Sequence, residues 1–472
     1  MERFFRLKEK GTTVATEVLA GTTTFISLAY VVSLVPNAFL KAAGIPPELG
    51  FTAFVVVAIL STLIGALYAN LPIAFASGIG LSAFFAFTVC APKTQGGMGY
   101  TIQVALTALL LEGLVFIALS AMKVREAFME AIPFSLKKGI AVGIGLFIAI
   151  IGFVDAGITR VGLKLDADAV LPALQKDPSA VFGLHDIGNL FLAKFWDQGH
   201  LTPAFWSVAG LVFIAVLLAR KVRGALLLGI LAVTLAGLLP ERLGGGFTHV
   251  PQGALFQVPA WPHLFQYDWS WVHTLGGVLN IFIILFTLLF VDMFDTIGTL
   301  MGIGAQGKML DAEGRFPGAS KAFMADAVGT TFASMFGTTA VTAYIESASG
   351  VAAGGRTGLT ALTVAGWLLL TLFLSPLFLM VPLQATAPAL MLIGFYMLSE
   401  LREIAFEDVT ESLPAYLAVV VMPFTFSIVN GIALGMIAYT VLKVATGRRR
   451  EVSPIVWGLS GVFLIKLLFL SA

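Results

Sequence analysis

Apolar runs long enough to cross ~30 Å of hydrocarbon as an α-helix recur from one end of the chain to the other. FVVVAILSTLIGALYANLPIA near the start and LTVAGWLLLTLFLSPLFLMV in the second half are clear examples. No run shows the period-two alternation of a membrane β-strand, so the pattern predicts a bundle of helices rather than a barrel. Divided by hydropathy, the chain gives segments 15–37, 51–70, 71–88, 102–121, 135–154, 204–220, 223–239, 276–301, 319–337, 338–352, 360–381, 386–398, 412–425 and 430–445. That makes fourteen. A last apolar stretch, PIVWGLSGVFLIKLLFLSA, is interrupted by Lys466 and either spans or lies at the interface.

The distribution of positive charge tests this division. With the N-terminus cytoplasmic and fourteen crossings, twenty basic residues fall on the inner side and seven on the outer. Four of those seven (Arg160, Lys164, Lys176 and Lys194) lie in the long 155–203 loop, where the positive-inside rule has least force. Segments 71–88 and 338–352 are too short and too rich in Gly, Ser and Thr for ordinary lipid-facing helices, and they stand third and tenth. Broken segments at matching positions of two halves are a pointer to a transporter's central site, and an odd number of spans per half makes the halves inverted. The expectation is an all-α membrane protein of 14 segments in two inverted seven-helix repeats.

Composition agrees and narrows the chemistry. The mean hydropathy is +0.95, with 58% hydrophobic and 12% charged residues, which places most of the chain in lipid. A net charge of +1 argues against nucleic acid as a partner. The single Cys90 rules out a disulfide framework, and the five histidines form no metal-ligand pattern, so no metal or cofactor is expected. The N-terminal residues show no cleavage site of a secretory signal.

Against that background the ionisable groups within segments become the candidate chemistry. Glu112, in TALLLEGLVFIAL, reads as an interhelical hydrogen-bonding group, and Asp326, in FMADAVGTT, as scaffold or coupling residue. Asp292 and Asp295, in LFVDMFDTIGTLMG, stand three apart on one helix face, with Thr299 one turn on. Two carboxyls this close in low dielectric cannot both ionise cheaply, so one is expected to hold a proton. In TAYIESASGVAAGGRTG, a chain that is extended through Thr342 and helical from about Ile345 puts Ile345, Glu346 and Ser347 at a helix start. The corresponding ASGIGLSAFFAF offers Ser82 beside Phe84, Phe85 and Phe87. Such a cavity, with carboxylate acceptors, backbone amides and aromatic faces, suits a neutral planar solute rich in N–H groups. Arg356 reads as a helix-end marker.

These residues also carry a resemblance. TEVLAGTTTFISLAYVVSLVPN, GIGLSAFFAFTV, VDMFDTIGTL, ADAVGT, TAYIESASGVAAGGRTGLT and FSIVNGIALG together resemble the adenine/guanine/hypoxanthine permeases, the azaguanine-permease-like branch of the nucleobase–cation symporters. The likeness covers nearly all of residues 10–446. It implies a core domain in 10–121 and 276–381, a gate domain in 122–275 and 382–446, and an extension at 447–472. It implies a short strand in each of broken segments 3 and 10, and elevator-type transport of a purine coupled to a proton across the cell (inner or plasma) membrane. By motif, Asp295 and Glu346 are expected to contact the base and, with Asp292, to couple protons; Thr299, Ile345, Ser82, Phe84 and Phe85 complete the substrate site. Ser77 and Ser82 depart from the family's usual Pro and Asn, which touches purine preference rather than scaffold. Relatives often pair through the gate domain, so a homodimer is implied, although the small-residue faces GIAVGIG and GIALG suit packing within one subunit. The other readings are a carrier of uracil, xanthine or an anion on the same fold and, last, an intramembrane enzyme using paired acids.

Overall fold

A computed structural model describes residues 2–469 except 93–96, 123–132, 162–189, 193, 198–199, 223, 252, 263, 312–315 and 426. Of the basic residues in the charge comparison, Lys93, Lys123, Arg125, Lys164, Lys176, Arg223 and Arg315 lie outside the described residues.

The protein is mostly helical. α1 (Val14–Leu34) starts at Thr13, whose hydroxyl accepts from the Thr16 amide at 3.2 Å, and runs on as a π-helical stretch, Val35–Leu40. α2 (Pro47–Ile64) has proline in its first turn, where no N–H is needed, and ends in a second π-helical stretch, Gly65–Ala69. Segment three is no continuous helix. It is a strand, β1 (Phe75–Ser77), followed by the short α3 (Ile79–Ala83) and a π-helical continuation, Phe84–Cys90. Then come α4 (Ile102–Met122), α5 (Phe134–Asp155), α6 (Pro203–Ala219), α7 (Ala225–Ala236), α8 (Leu275–Gly307) and α9 (Ala319–Phe336). Segment ten repeats the pattern of segment three: β2 (Val341–Ala343), then α10 (Ser347–Ala352). α11 (Gly358–Leu372), α12 (Leu383–Met397), α13 (Val409–Thr425), α14 (Ile428–Ala445) and α15 (Pro454–Phe469) complete the chain.

Among the described residues, six helical runs are long and apolar enough to cross a membrane, from Val14–Leu40 to Ile428–Ala445, with shorter apolar helices between them. The helix boundaries follow the apolar segments with two clear exceptions. Segment 360–381 breaks after Leu372 and resumes as a short helix, Ser375–Leu379. α8 continues past residue 301 to Gly307 through GIGAQG, where hydropathy falls although helical hydrogen bonding goes on.

The helices pack in two sets. α1 lies against α10 and α11, α2 against α9 and α11, and α4 against α8 and α9. In the second set α5 lies against α12 and α13, α13 against α14, and α6 and α7 against each other and α12. Close approaches depend on missing side chains. A Cβ at Gly350 of α10 would sit 2.1 Å from Thr24 Oγ1 and 2.5 Å from the Ala20 carbonyl of α1, so only glycine lets these helices touch. The glycines of GIAVGIG and GIALG are spent the same way. Gly139 and Gly143 of α5 and Gly431 and Gly435 of α14 all press on α13 within the one chain.

Candidate functional site

β1 and β2 meet in the middle of the first helix set as an antiparallel pair, with Phe75 opposite Ala343, Ala76 opposite Thr342 and Ser77 opposite Val341. The pairing extends one residue beyond each strand: the Gly78 amide donates to the Ala340 carbonyl, and the Tyr344 amide to the Ala74 carbonyl, both at 2.9 Å. An isolated two-stranded ribbon leaves its outer backbone edges unpaired, which is costly away from water. Here threonines close them. Thr62 of α2 accepts from the Phe75 amide at 3.0 Å and donates to its carbonyl at 2.9 Å. Thr330 of α9 does the same for Val341, at 2.9 Å and 3.4 Å.

From this crossing the two half-helices diverge. Gly78 has to be glycine, because a Cβ there would lie 2.7 Å from the Thr342 methyl on the partner strand. Glu346 occupies the N-cap position of α10, but its side chain makes no capping bond. Instead Tyr30 Oη, from α1, donates to Glu346 Oε1 at 2.6 Å. The half-helix is anchored from both sides: Ser347 Oγ accepts from the Ala74 amide at 3.0 Å, and Ser27 Oγ donates to Ser349 Oγ at 2.9 Å.

Glu346 is half-buried, while Ile345 and Asp295 are exposed. Gly298, one turn beyond Asp295, has open space where a side chain would be. The Asp295 carboxyl is hydrogen-bonded to the Thr342 hydroxyl and interacts electrostatically with Glu346. One accessible face therefore joins Asp295 of α8, the start of α10 and the backbone crossing. Across from it, Gly80 of α3 faces Ile144 of α5, from the second helix set, at 3.3 Å from its would-be Cβ.

Not every expected residue reaches that face. Thr299 is buried one turn from Asp295. Ser82 is fully buried and pairs with Thr339 Oγ1 at 2.6 Å, and Phe84 and Phe85 are packed in the apolar core. Asp292 and Asp295, expected on one face, part company: Asp295 is exposed, and Asp292 is buried toward α4 and α9. Glu112 is not the hydrogen-bonding group its setting suggested, since neither of its oxygens receives an N–H or O–H donor. Asp326 accepts from Thr296 Oγ1 at 2.6 Å. Arg356 does mark a helix end, donating from Nη1 to the Val351 carbonyl at 2.6 Å and the Gly355 carbonyl at 2.7 Å. Tyr30 was missed. Its signal lies in FISLAYVVSL, a tyrosine inside an apolar helix whose hydroxyl must find a partner.

A family model described as "Permease family" matches residues 15–174 and 180–434. The chain belongs to this permease family. It is 37% identical over 475 residues to the adenine permease AdeP of Escherichia coli, covering 100% of this chain and 97% of that one. It is also 37% identical over 475 residues to the guanine/hypoxanthine permease PbuO of Bacillus subtilis, covering 99% and 100%. Among solved structures it resembles the transmembrane domain of the cyanobacterium bicarbonate transporter BicA, with TM-score 0.59 and 18% identity over 89% of this chain and 97% of that one. That likeness is one of fold. The permease is a membrane transporter and not an enzyme.

Proposed function

We propose that this permease carries a purine nucleobase, and that uptake is coupled to protons. The observation that carries the reading is the accessible face shared by Glu346 and Asp295 beside the strand crossing. Two carboxyls there accept hydrogen bonds from ring and exocyclic N–H groups, and no Lys, Arg or His stands in α8, β2 or α10 to hold an anion. This favours a neutral, donor-rich base over the anion implied by the name of the bicarbonate transporter that shares the fold. The names of the adenine and guanine/hypoxanthine relatives point the same way. In this reading Glu346 and Asp295 contact the base directly and Thr299 lines the site. Ser82 acts through Thr339, and Phe84 and Phe85 form its packed wall. Tyr30 holds Glu346 in place.

The same reading makes the chain fourteen spans in two inverted repeats. Supporting it, Thr62 with Phe75 and Thr330 with Val341 make one hydrogen-bond pattern twice, and the bonds that extend the strand pair are likewise two-fold related. The first helix set then forms the core domain, in 10–121 and 276–381, and the second the gate, in 122–275 and 382–446. The carrier works by moving core against gate, with the substrate face opening between α3, α8 and α10 on one side and α5 on the other. The excess of positive charge on one side supports a cytoplasmic N-terminus, and the reading sets the protein in the cell membrane.

The test is uptake of radiolabelled adenine, guanine and hypoxanthine into proteoliposomes under an imposed inward proton gradient. Uptake is expected to collapse with a protonophore and to fall at least about a hundredfold in Glu346→Ala. Absence of accumulation of all three bases by the wild type would sink the reading.

A further inference from the structure

A second group of acids lies away from the substrate face. Glu112 of α4, Asp292 of α8 and Asp326 of α9 are all fully buried and close enough to interact electrostatically. α4 and α9 are drawn together here, since a Cβ at Gly113 would meet Thr331 Oγ1 at 2.6 Å. Neither oxygen of Glu112, nor either of Asp292, receives an N–H or O–H donor. No basic residue lies in α2, α4, α8, β1 or β2, and Lys321, at the start of α9, sits over the Tyr68 ring instead. Besides its two fellow acids, Asp292 also interacts with Asp295. Among the described residues no group of acids, histidines or cysteines is arranged to hold a metal ion.

Burying one bare carboxylate without donors or cations is prohibitive, and burying two beside a third acid is worse. The ligand that removes the difficulty is a proton. Hydrogen counting also requires a proton on the row that leads to the cluster. From Asp326 the contacts run to Thr296 Oγ1 at 2.6 Å, on to Thr342 Oγ1 at 2.9 Å, and then to Asp295. That is three hydrogen bonds, but the two hydroxyls supply only two hydrogens. With Thr296 donating to Asp326, the third comes from the Asp295 carboxyl. Asp292 and Asp326 also lie close enough for their charges to repel, which favours a proton on one of them.

We propose that Glu112, Asp292 and Asp326 form a proton-binding cluster, distinct from the substrate face and joined to it through Thr296 and Thr342. The inference deepens the proton-coupled reading above and rests on it. A proton delivered to Asp295 passes to the Thr342 oxygen as that hydroxyl gives its own hydrogen to Thr296, and Thr296 passes one to Asp326. No bond order or oxidation state changes; one proton leaves the substrate face and one arrives in the cluster. The cluster thus stores the coupling charge where no substrate can reach it, and Glu346 is left free to hold the base.

The test uses the full-length protein. In infrared difference spectra, wild type minus Glu112→Gln at pH 7, a protonated carboxyl C=O band that shifts in D2O is expected. In proteoliposomes, Glu112→Gln is expected to keep purine-induced thermal stabilisation while purine-driven proton flux falls at least about tenfold. Thr296→Val, which breaks the row but keeps the bulk, should slow proton flux and keep purine stabilisation; it decides the matter if Glu112→Gln does not fold. An absent carboxyl band overturns the proposal, as do unchanged proton flux in both variants, loss of purine stabilisation together with transport, or flux that follows sodium instead. If the wild type moves no purine at all, the reading of its substrate fails, and the infrared band still decides the cluster.

Discussion

Glu17 and Glu112 are each the lone acid of an apolar helix in the first helix set, and both are fully buried. Their surroundings are opposite. Glu17 accepts from the Arg356 amide at 2.9 Å, from the Thr357 and Thr360 amides at 3.2 Å, and from Thr360 Oγ1 at 2.6 Å. It stands at the start of α11 and supplies the acceptor that the first amides of that helix lack, so α1, the end of α10 and α11 are tied at one carboxyl. Glu112 has no such donor on either oxygen. The same residue type at the same burial is a structural tie in one place and an unmet charge in the other, and only the partners tell them apart.

Removing the tie should have the largest effect. Glu17→Ala leaves the Arg356 and Thr357 amides without an acceptor, at about 3–5 kcal/mol in total, since each orphaned group costs ~1–3 kcal/mol. The Thr360 amide keeps the Thr357 carbonyl at 3.2 Å, and its hydroxyl keeps the residue-17 carbonyl at 3.4 Å. Thermal unfolding in detergent should fall by about 3–5 °C. Glu112→Gln loses no such bond, so its melting should stay within about 2 °C of wild type. A large drop for Glu112→Gln with none for Glu17→Ala would invert the comparison and remove its basis.

An intermediate effect is expected at Tyr30, which ties the substrate face as Glu17 ties the helix ends. Tyr30→Phe removes a hydrogen bond to a carboxyl, about 1.5–3 kcal/mol when the acceptor is charged. Purine affinity, read by competition uptake, should weaken at least about tenfold, with melting little changed. Equal affinity for the two proteins would show that Glu346 needs no fixing from α1.

Much of this was legible in the sequence. The broken segments three and ten announced themselves by length and by Gly, Ser and Thr content, and β1, β2 and the half-helices stand where those residues put them. Glu346 falls at the start of α10, as the change from extended to helical pattern predicts. Legibility stopped where partners come from distant helices. Three-residue spacing put Asp292 and Asp295 on one face, but the 60° between them suffices to send one to the cavity and the other to the buried cluster. Glu112 read as an ordinary interhelical hydrogen-bonding group because hydropathy reports a residue's own cost and is blind to the carboxyl of Asp326. Tyr30 was hidden for the same reason, as its acceptor lies 316 residues away.

The smallest effect should come where acids are paired outside the membrane, the reverse of Glu112. Beside the end of α14, Arg448 Nη1 donates to Asp408 Oδ2 at 2.6 Å, while Nε and Nη2 reach the two oxygens of Glu451 at 2.8 Å and 2.9 Å. Arg448, with Lys443 beside it, holds the Glu451 carboxyl down at about 2, and Arg448 also holds Asp408 below its ordinary range. A carboxyl depressed on folding adds stability above its ordinary value, near 4.5 for Glu451, and loses it as pH falls toward about 2. The group is exposed, so the gain is modest and salt-sensitive. Amide protection factors in the link between α14 and α15 should therefore stay high at pH 5 and fall only as acid approaches pH ~2. Arg448→Gln should move that onset up toward about pH 4 while leaving purine uptake at neutral pH unaltered. An onset that does not move would mean the pairing leaves the link unconstrained. Charge at this edge is held by partners in water, whereas inside α4 a proton has to do that work.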